Sequence, residues 1–186
     1  MSATLLAPRV TADDLLRLPE GKGFELVDGY LKEKGMGAES ALVGTRLSAR
    51  LEMFVFDHDA GNTFNPEGSY QIFADDPNRV RKPDVSFVRK GRFPDGRIPR
   101  GHIRVVPDMI AEIVSPNDIA EELETRVTQY LQAGVRLVWV VYPLTHTVYV
   151  YRPDGSAARL AGDATLTGED VLPGFTLAIS LLFANL

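Results

Sequence analysis

Hydrophobic positions along this chain change period several times, and each change predicts an element. A short helix is expected from Thr11, with Asp13 and Asp14 in its first turn and Pro19 beyond its end. Residues 24–27 and 30–34 flank Asp28-Gly29, a strong two-residue signal for a β-hairpin. Val43, Leu47, Leu51 and Phe54 recur at helical spacing, which predicts a long helix over residues 39–57 with one apolar face. Short extended segments are expected at residues 63–64 and 69–73, followed by an Asp75-Asp76-Pro77-Asn78 turn. Residues 84–88 read as a strand and 93–101 as a loop rich in Pro and Gly.

Residues 109–114 are an almost unbroken apolar run, as in a strand covered on both faces. A turn at Ser115-Pro116-Asn117-Asp118 precedes a predicted helix over 119–133, which Gly134 ends. Residues 137–142 then form a buried strand, 147–151 its hairpin partner, and a short strand lies near Phe175 before an apolar tail. Alternating strands and helices predict an α/β fold: a mixed β-sheet core flanked by helices, with an N-terminal helix and hairpin. The strand at 109–114, its helix and the strand at 137–142 would form a right-handed parallel crossover.

Composition narrows the chemistry. A chain of 186 residues fits one domain, assigned to residues 1–186, and the absence of cysteine excludes disulfides, thiolate zinc sites and cysteine nucleophiles. No apolar run is long enough to cross a bilayer, and residues 1–10 do not read as an export signal, so a cytoplasmic protein is expected. The formal net charge is −5, yet residues 79–104 hold nine basic side chains against Asp84 and Asp95. Charge alone favours a solvated strip paired with nearby acids, although such a strip could also attract a phosphate backbone. Its candidate nucleic-acid contacts are Arg81, Lys82 and Lys90. His58, His102 and His146 are scattered without metal-ligand spacing and are expected at the surface or in loops. No Gly-rich phosphate loop or Gly-x-Ser-x-Gly elbow is present. Tyr149 and Tyr151 are expected in the core or at an interface rather than as base-stacking platforms.

Glu112 is the sharpest anomaly. It shares a face with Ile110 and Val114 inside the doubly covered strand, where an unpaired carboxylate would lose hydration worth several kcal/mol. Arg126 falls within the apolar stripe of Ile119, Leu123 and Tyr130 on the next helix, and a guanidinium there has a reason if it meets Glu112. Asp84 opens its strand behind Pro83, where a turn residue is the ordinary reading. Glu25, by its alternation alone, reads as an exposed hairpin residue. Converging carboxylates would suit Mg²⁺ or Mn²⁺, hard ions that prefer oxygen.

Four motifs in order carry a family resemblance: Phe24-Glu25-Leu26-Val27-Asp28-Gly29, Arg81-Lys82-Pro83-Asp84-Val85-Ser86-Phe87-Val88, Ala111-Glu112-Ile113-Val114-Ser115-Pro116, and residues 135–143 with Trp139. Together they resemble the Uma2 family, restriction-endonuclease-like proteins of the PD-(D/E)XK nuclease superfamily, over residues 11–175. The resemblance implies that fold and a divalent-metal site at Asp84 and Glu112, with Glu25 as a possible third member. It also implies that Val114 replaces the lysine of the wider class, and that Arg126 stands where many relatives carry a lysine. Lys82 is a weaker substitute. Ser40 and Tyr142 stand where relatives often have histidine and aspartate.

The leading expectation is hydrolysis of DNA phosphodiesters by a metal-activated water, RNA not being excluded. Asp84 and Glu112 would ligate Mg²⁺ or Mn²⁺, Glu25 would ligate or orient water, and Arg126 would stabilise developing negative charge. Arginine stays protonated, so Arg126 cannot serve as a base. The competing expectations are a nuclease fold that only holds nucleic acid, and an interaction protein in which Glu112 and Arg126 are a fold-specifying ion pair. Leu181, Leu182 and Phe183 suggest a homodimer, on the risk of leaving them exposed.

Overall fold

The computed structural model describes residues 10–19, 21–35 and 37–186. The reading of residues 1–10 as lacking an export signal therefore falls almost wholly outside the described residues. The described elements run α1 (Ala12–Arg17), β1 (Phe24–Val27), β2 (Tyr30–Glu33), α2 (Ala38–Asp57), β3 (Gly61–Phe64), β4 (Val85–Arg89), β5 (Met109–Ile113) and α3 (Ala120–Gln132). They continue with β6 (Leu137–Tyr142), β7 (Thr147–Tyr151), β8 (Ala157–Ala161), β9 (Thr165–Gly168), β10 (Leu172–Ala178) and α4 (Ile179–Leu182).

Six strands form the main sheet in the order β3-β4-β5-β6-β7-β8. Only β5 and β6 pair in parallel, joined by α3; the other neighbours are antiparallel. The alternation of β5 sorts its side chains between two layers. Met109, Ala111 and Ile113 face the layer built by Val43, Leu47 and Leu51 of α2, with Leu166, Phe175 and Leu182 from the C-terminal elements. Ile110 faces Leu123, Val127 and Tyr130 of α3, and Glu112 shares that side.

A second, two-stranded sheet is the β1–β2 hairpin. Asp28 and Gly29 both have positive φ, 53° and 83°, the backbone that a tight two-residue hairpin turn requires. Leu26 exchanges both backbone hydrogen bonds with Val80, which ties the hairpin to the chain just before β4. Gly134, at φ 100°, ends α3 as expected.

Several expectations need correction. Ile119 is 56% exposed at the N-cap of α3, so the buried stripe is Leu123, Arg126, Val127 and Tyr130. On α2, Val55 occupies the buried position and Phe54 is half-buried. The segment at 69–73 forms no strand; Tyr70 makes isolated bridges to Arg81 and Ile103. Strands β8 and β9 carry too little apolar alternation to be read from sequence. His102 lies in a loop, one of its two expected placements, but is buried there: its Nε2–H donates to the Ala12 carbonyl at 2.9 Å, and Ser69 Oγ lies 2.8 Å from Nδ1. Of the tail residues that suggested a homodimer, Leu182 and Phe183 are buried in the chain's own core, while Leu181 is 54% exposed. Among the described residues no helix is long and apolar enough to cross a membrane.

Leu47 is fully buried and Met53 is 60% exposed on the same helix. Leu47→Ala should lower unfolding free energy by ~2–5 kcal/mol, whereas Met53→Ala should change it by less than ~0.5 kcal/mol. Urea unfolding followed by circular dichroism measures both.

Candidate active site

Strand register brings the two predicted acids together. β4 and β5 pair with Val85 opposite Ala111, and one further step along that register sets Asp84 opposite Glu112. Facing like charges on neighbouring strands repel, and here both are nearly dry: Asp84 is 3% exposed and Glu112 1%. Their coexistence depends on cations brought from other elements.

Arg126 and Tyr130, one turn apart on α3, both reach Glu112. Arg126 Nη1 donates to Oε2 at 2.7 Å and Tyr130 Oη donates to Oε1 at 2.7 Å. Lys34, immediately after β2, places its ammonium between the strands, 2.9 Å from Asp84 Oδ1 and 3.4 Å from Glu112 Oε2. The same ammonium donates to the Lys82 carbonyl. Asp84 Oδ2 accepts the Ile113 N–H at 2.7 Å, while Oδ1 faces Lys34 without completing an aligned hydrogen bond. A buried oxygen of that kind, beside a second carboxylate, suits a hard cation that binds oxygen.

Glu25 borders the same cleft and is likewise buried, not exposed as alternation alone suggested. Its oxygens are taken by Arg81 Nη1 at 2.9 Å and the Lys82 N–H at 2.8 Å. Arg81 also donates to Gln129 on α3. Among the described residues, no group of three or more His, Asp or Glu side chains is arranged to hold a metal ion. Asp84 and Glu112 face each other directly, and Glu25 lies beside the same cleft with its oxygens held by Arg81 and the Lys82 N–H.

The two facing acids are driven in opposite directions. Burial pushes the Asp84 carboxyl up to about 6; Lys34 opposes this and Glu112 reinforces it. Burial acts against the Glu112 carboxylate as well, but Lys34, Arg126 and the Tyr130 hydrogen bond overcome it and hold the group at about 2. Burial weakens the Lys34 ammonium, and Glu112, Asp84 and Glu25 more than restore it, leaving its pKa raised. Glu112 is thus ionised throughout the neutral range and Asp84 is the group poised to change.

The cleft over these groups measures about 530 Å³ and is open to solvent. Gly37 at the start of α2, Ser115, Asp118 and Glu122 complete its rim. Of the residues expected to touch nucleic acid, Arg81 and Lys82 are buried, and Arg81 is committed to Glu25. Lys90 is exposed, pairs with Asp59, and follows the end of β4 remote from Asp84, roughly 20 Å away at strand spacing. Two more residues of the basic strip are also matched: Arg79 by Asp75 and Asp28, and Arg92 by Asp108.

Sequence reasoning missed Lys34. A signal existed, because the hairpin register pairs Glu25 with Lys32 and extends to Gly23 beside Lys34. Lys32 and Lys34 therefore share the face of Glu25.

The family model for Uma2, described as "Putative restriction endonuclease", matches residues 12–180. The chain belongs to the Uma2 family. A crystal structure described as a putative nuclease belonging to DUF820, from Anabaena variabilis ATCC 29413, shares its fold. The TM-score is 0.78 and the identity 24%, with 94% of this chain and 97% of that chain covered. No curated protein matches the sequence. The expected Uma2 membership and restriction-endonuclease-like α/β fold are thus borne out. In this Uma2 chain the cations beside the acids come from a hairpin and a helix, Lys34 and Arg126.

Arg126→Met should cost ~3–5 kcal/mol, because it strips Glu112 of its closest buried cation. Glu112→Leu combined with Arg126→Met should recover most of that loss in urea unfolding. Stability should also depend on pH through Asp84. Its folded carboxyl lies near 6, above the unfolded 3.8, so the folded state holds that proton more tightly. Its contribution rises as pH falls from about 6 toward 4, and Asp84→Asn should remove that slope. Glu112 acts oppositely: its stabilisation is present above 4.5 and is lost as pH falls through about 2.

Proposed function

We propose that this Uma2 chain is a metal-dependent endonuclease that hydrolyses phosphodiester bonds in DNA. The observation that carries the reading is the facing pair Asp84 and Glu112: Asp84 lines an open cleft and directs one oxygen at a cation, and Glu112 is buried opposite it. Their oxygen donors suit Mg²⁺ or Mn²⁺. Such an ion, when bound, supplies acidified water and offsets charge on a phosphoryl group.

The chain's own residues contribute the rest. Arg126 fixes the ionised state and orientation of Glu112 and keeps a permanent positive charge beside the cleft, where it can steady a phosphoryl oxygen. Glu25, tied to Arg81 and the Lys82 N–H, is assigned a role in orienting water and seating the hairpin rather than in ligation. Ile113 N–H holds Asp84 Oδ2 and leaves Oδ1 directed at the cation.

A second reading has its own support. Lys34 and Arg126 already balance Asp84 and Glu112, which is what a purely structural or binding cluster in a retained nuclease fold requires. Asp84→Ala separates the two. On supercoiled plasmid with Mg²⁺ or Mn²⁺ it should lower cleavage by ~100-fold or more, with circular dichroism unchanged. Unchanged cleavage would remove the nuclease reading. Salt-dependent DNA binding by a protein that never cleaves would favour the second.

A further inference from the structure

Lys34 is the feature that the proposed nuclease chemistry leaves without a task. Its ammonium occupies the position between Asp84 Oδ1 and Glu112 Oε2, the second of which also accepts from Arg126 Nη1 at 2.7 Å. It is the first residue past the end of β2, and its side chain is 16% exposed at the cleft. Gly35 follows, and Gly37 opens α2. We propose that Lys34 is an internal competitor for the metal site: the ammonium fills the Asp84–Glu112 pair when no ion is bound, and an entering divalent cation expels it toward the cleft mouth. This inference rests on the metal reading above and names how that site is regulated.

Two physical arguments carry it. The first is space. A divalent ion approaches a carboxylate oxygen to ~2.1 Å, and an ammonium 2.9 Å from the same oxygen would be held against it across a dry gap. The second is charge. With Arg126 fixed on Glu112, the Asp84, Glu112 and Arg126 group carries a single negative charge, which Lys34 neutralises. Adding a divalent ion while Lys34 stays would leave two uncompensated positive charges in a buried site, whereas exchange leaves one. That remaining positive charge, with the displaced ammonium near the rim, favours an anionic substrate. Arg126 is tied more tightly to the site: its Nη1 donates to Glu112 Oε2 at 2.7 Å, against 3.4 Å for the Lys34 ammonium.

The test uses the full chain and two readouts that do not depend on cleavage. Calorimetric titration with Mn²⁺ compares the wild type with Lys34→Met, which keeps the stem and removes the ammonium. In parallel, limited acetylation and peptide mass spectrometry follow Lys34 in the wild type with and without Mn²⁺. The expected result is Mn²⁺ affinity at least ~10-fold higher in Lys34→Met and faster acetylation of Lys34 once Mn²⁺ is present. Should Lys34→Met not fold, the acetylation rate in the wild type decides alone. Equal or weaker Mn²⁺ binding by a folded Lys34→Met, or acetylation that Mn²⁺ leaves unchanged, overturns the inference while wild-type Mn²⁺ binding preserves the metal reading. Failure of both proteins to bind Mn²⁺ overturns both.

Discussion

Repulsion between two carboxylates on neighbouring buried strands is the constraint around which this protein is organised. Asp84 and Glu112 stand opposite one another where water is nearly absent. Such a pair is tolerated only if positive groups arrive with correct geometry. Arg126 comes from the helix that also creates the parallel β5–β6 crossover, and Lys34 comes from a hairpin remote in sequence. Each cation is also a strut. Arg126 fixes the rotation of α3 over the sheet, and Lys34 fastens the hairpin to the ends of β4 and β5. Arg81 adds a further link, joining Glu25 of the hairpin to Gln129 of α3.

The same charges set what the site can do. Glu112 is surrounded by donors and stays ionised, while Asp84 keeps one oxygen facing the lysine ammonium. Two identical functional groups thereby acquire different characters through their neighbours alone. The basic strip at 79–104 contributes less to the field at the cleft than its count suggests, because Arg79, Arg81 and Arg92 end on acids of the same chain.

How far the sequence revealed this depends on how local each signal is. β5, α3 and β6 were readable to within one residue because their apolar runs and stripes are contiguous. A glutamate and an arginine stood out there by interrupting patterns that should be wholly apolar, and they do meet. β8, with Arg159 among alanines at the edge of the sheet, gave no comparable pattern. Lys34 was missed for a different reason: its hairpin phase places it beside Glu25, but it lies past the end of a short exposed strand, and its partners are far along the chain. Only docking of the hairpin through Leu26 and Val80 brings it into place. The burial of His102 in its loop was not legible because its partners, Ala12 and Ser69, are likewise distant in sequence.

The tight Asp28-Gly29 turn has a consequence that reaches beyond the hairpin. Strand side chains alternate sides, so the number of residues in that turn fixes whether Lys34 falls on the same side as Glu25. One extra residue there would invert the phase of the second strand, carrying the ammonium into solvent and leaving two anions confronted in the interior. The turn, though it touches neither acid, is the phase key that lets them share one pocket.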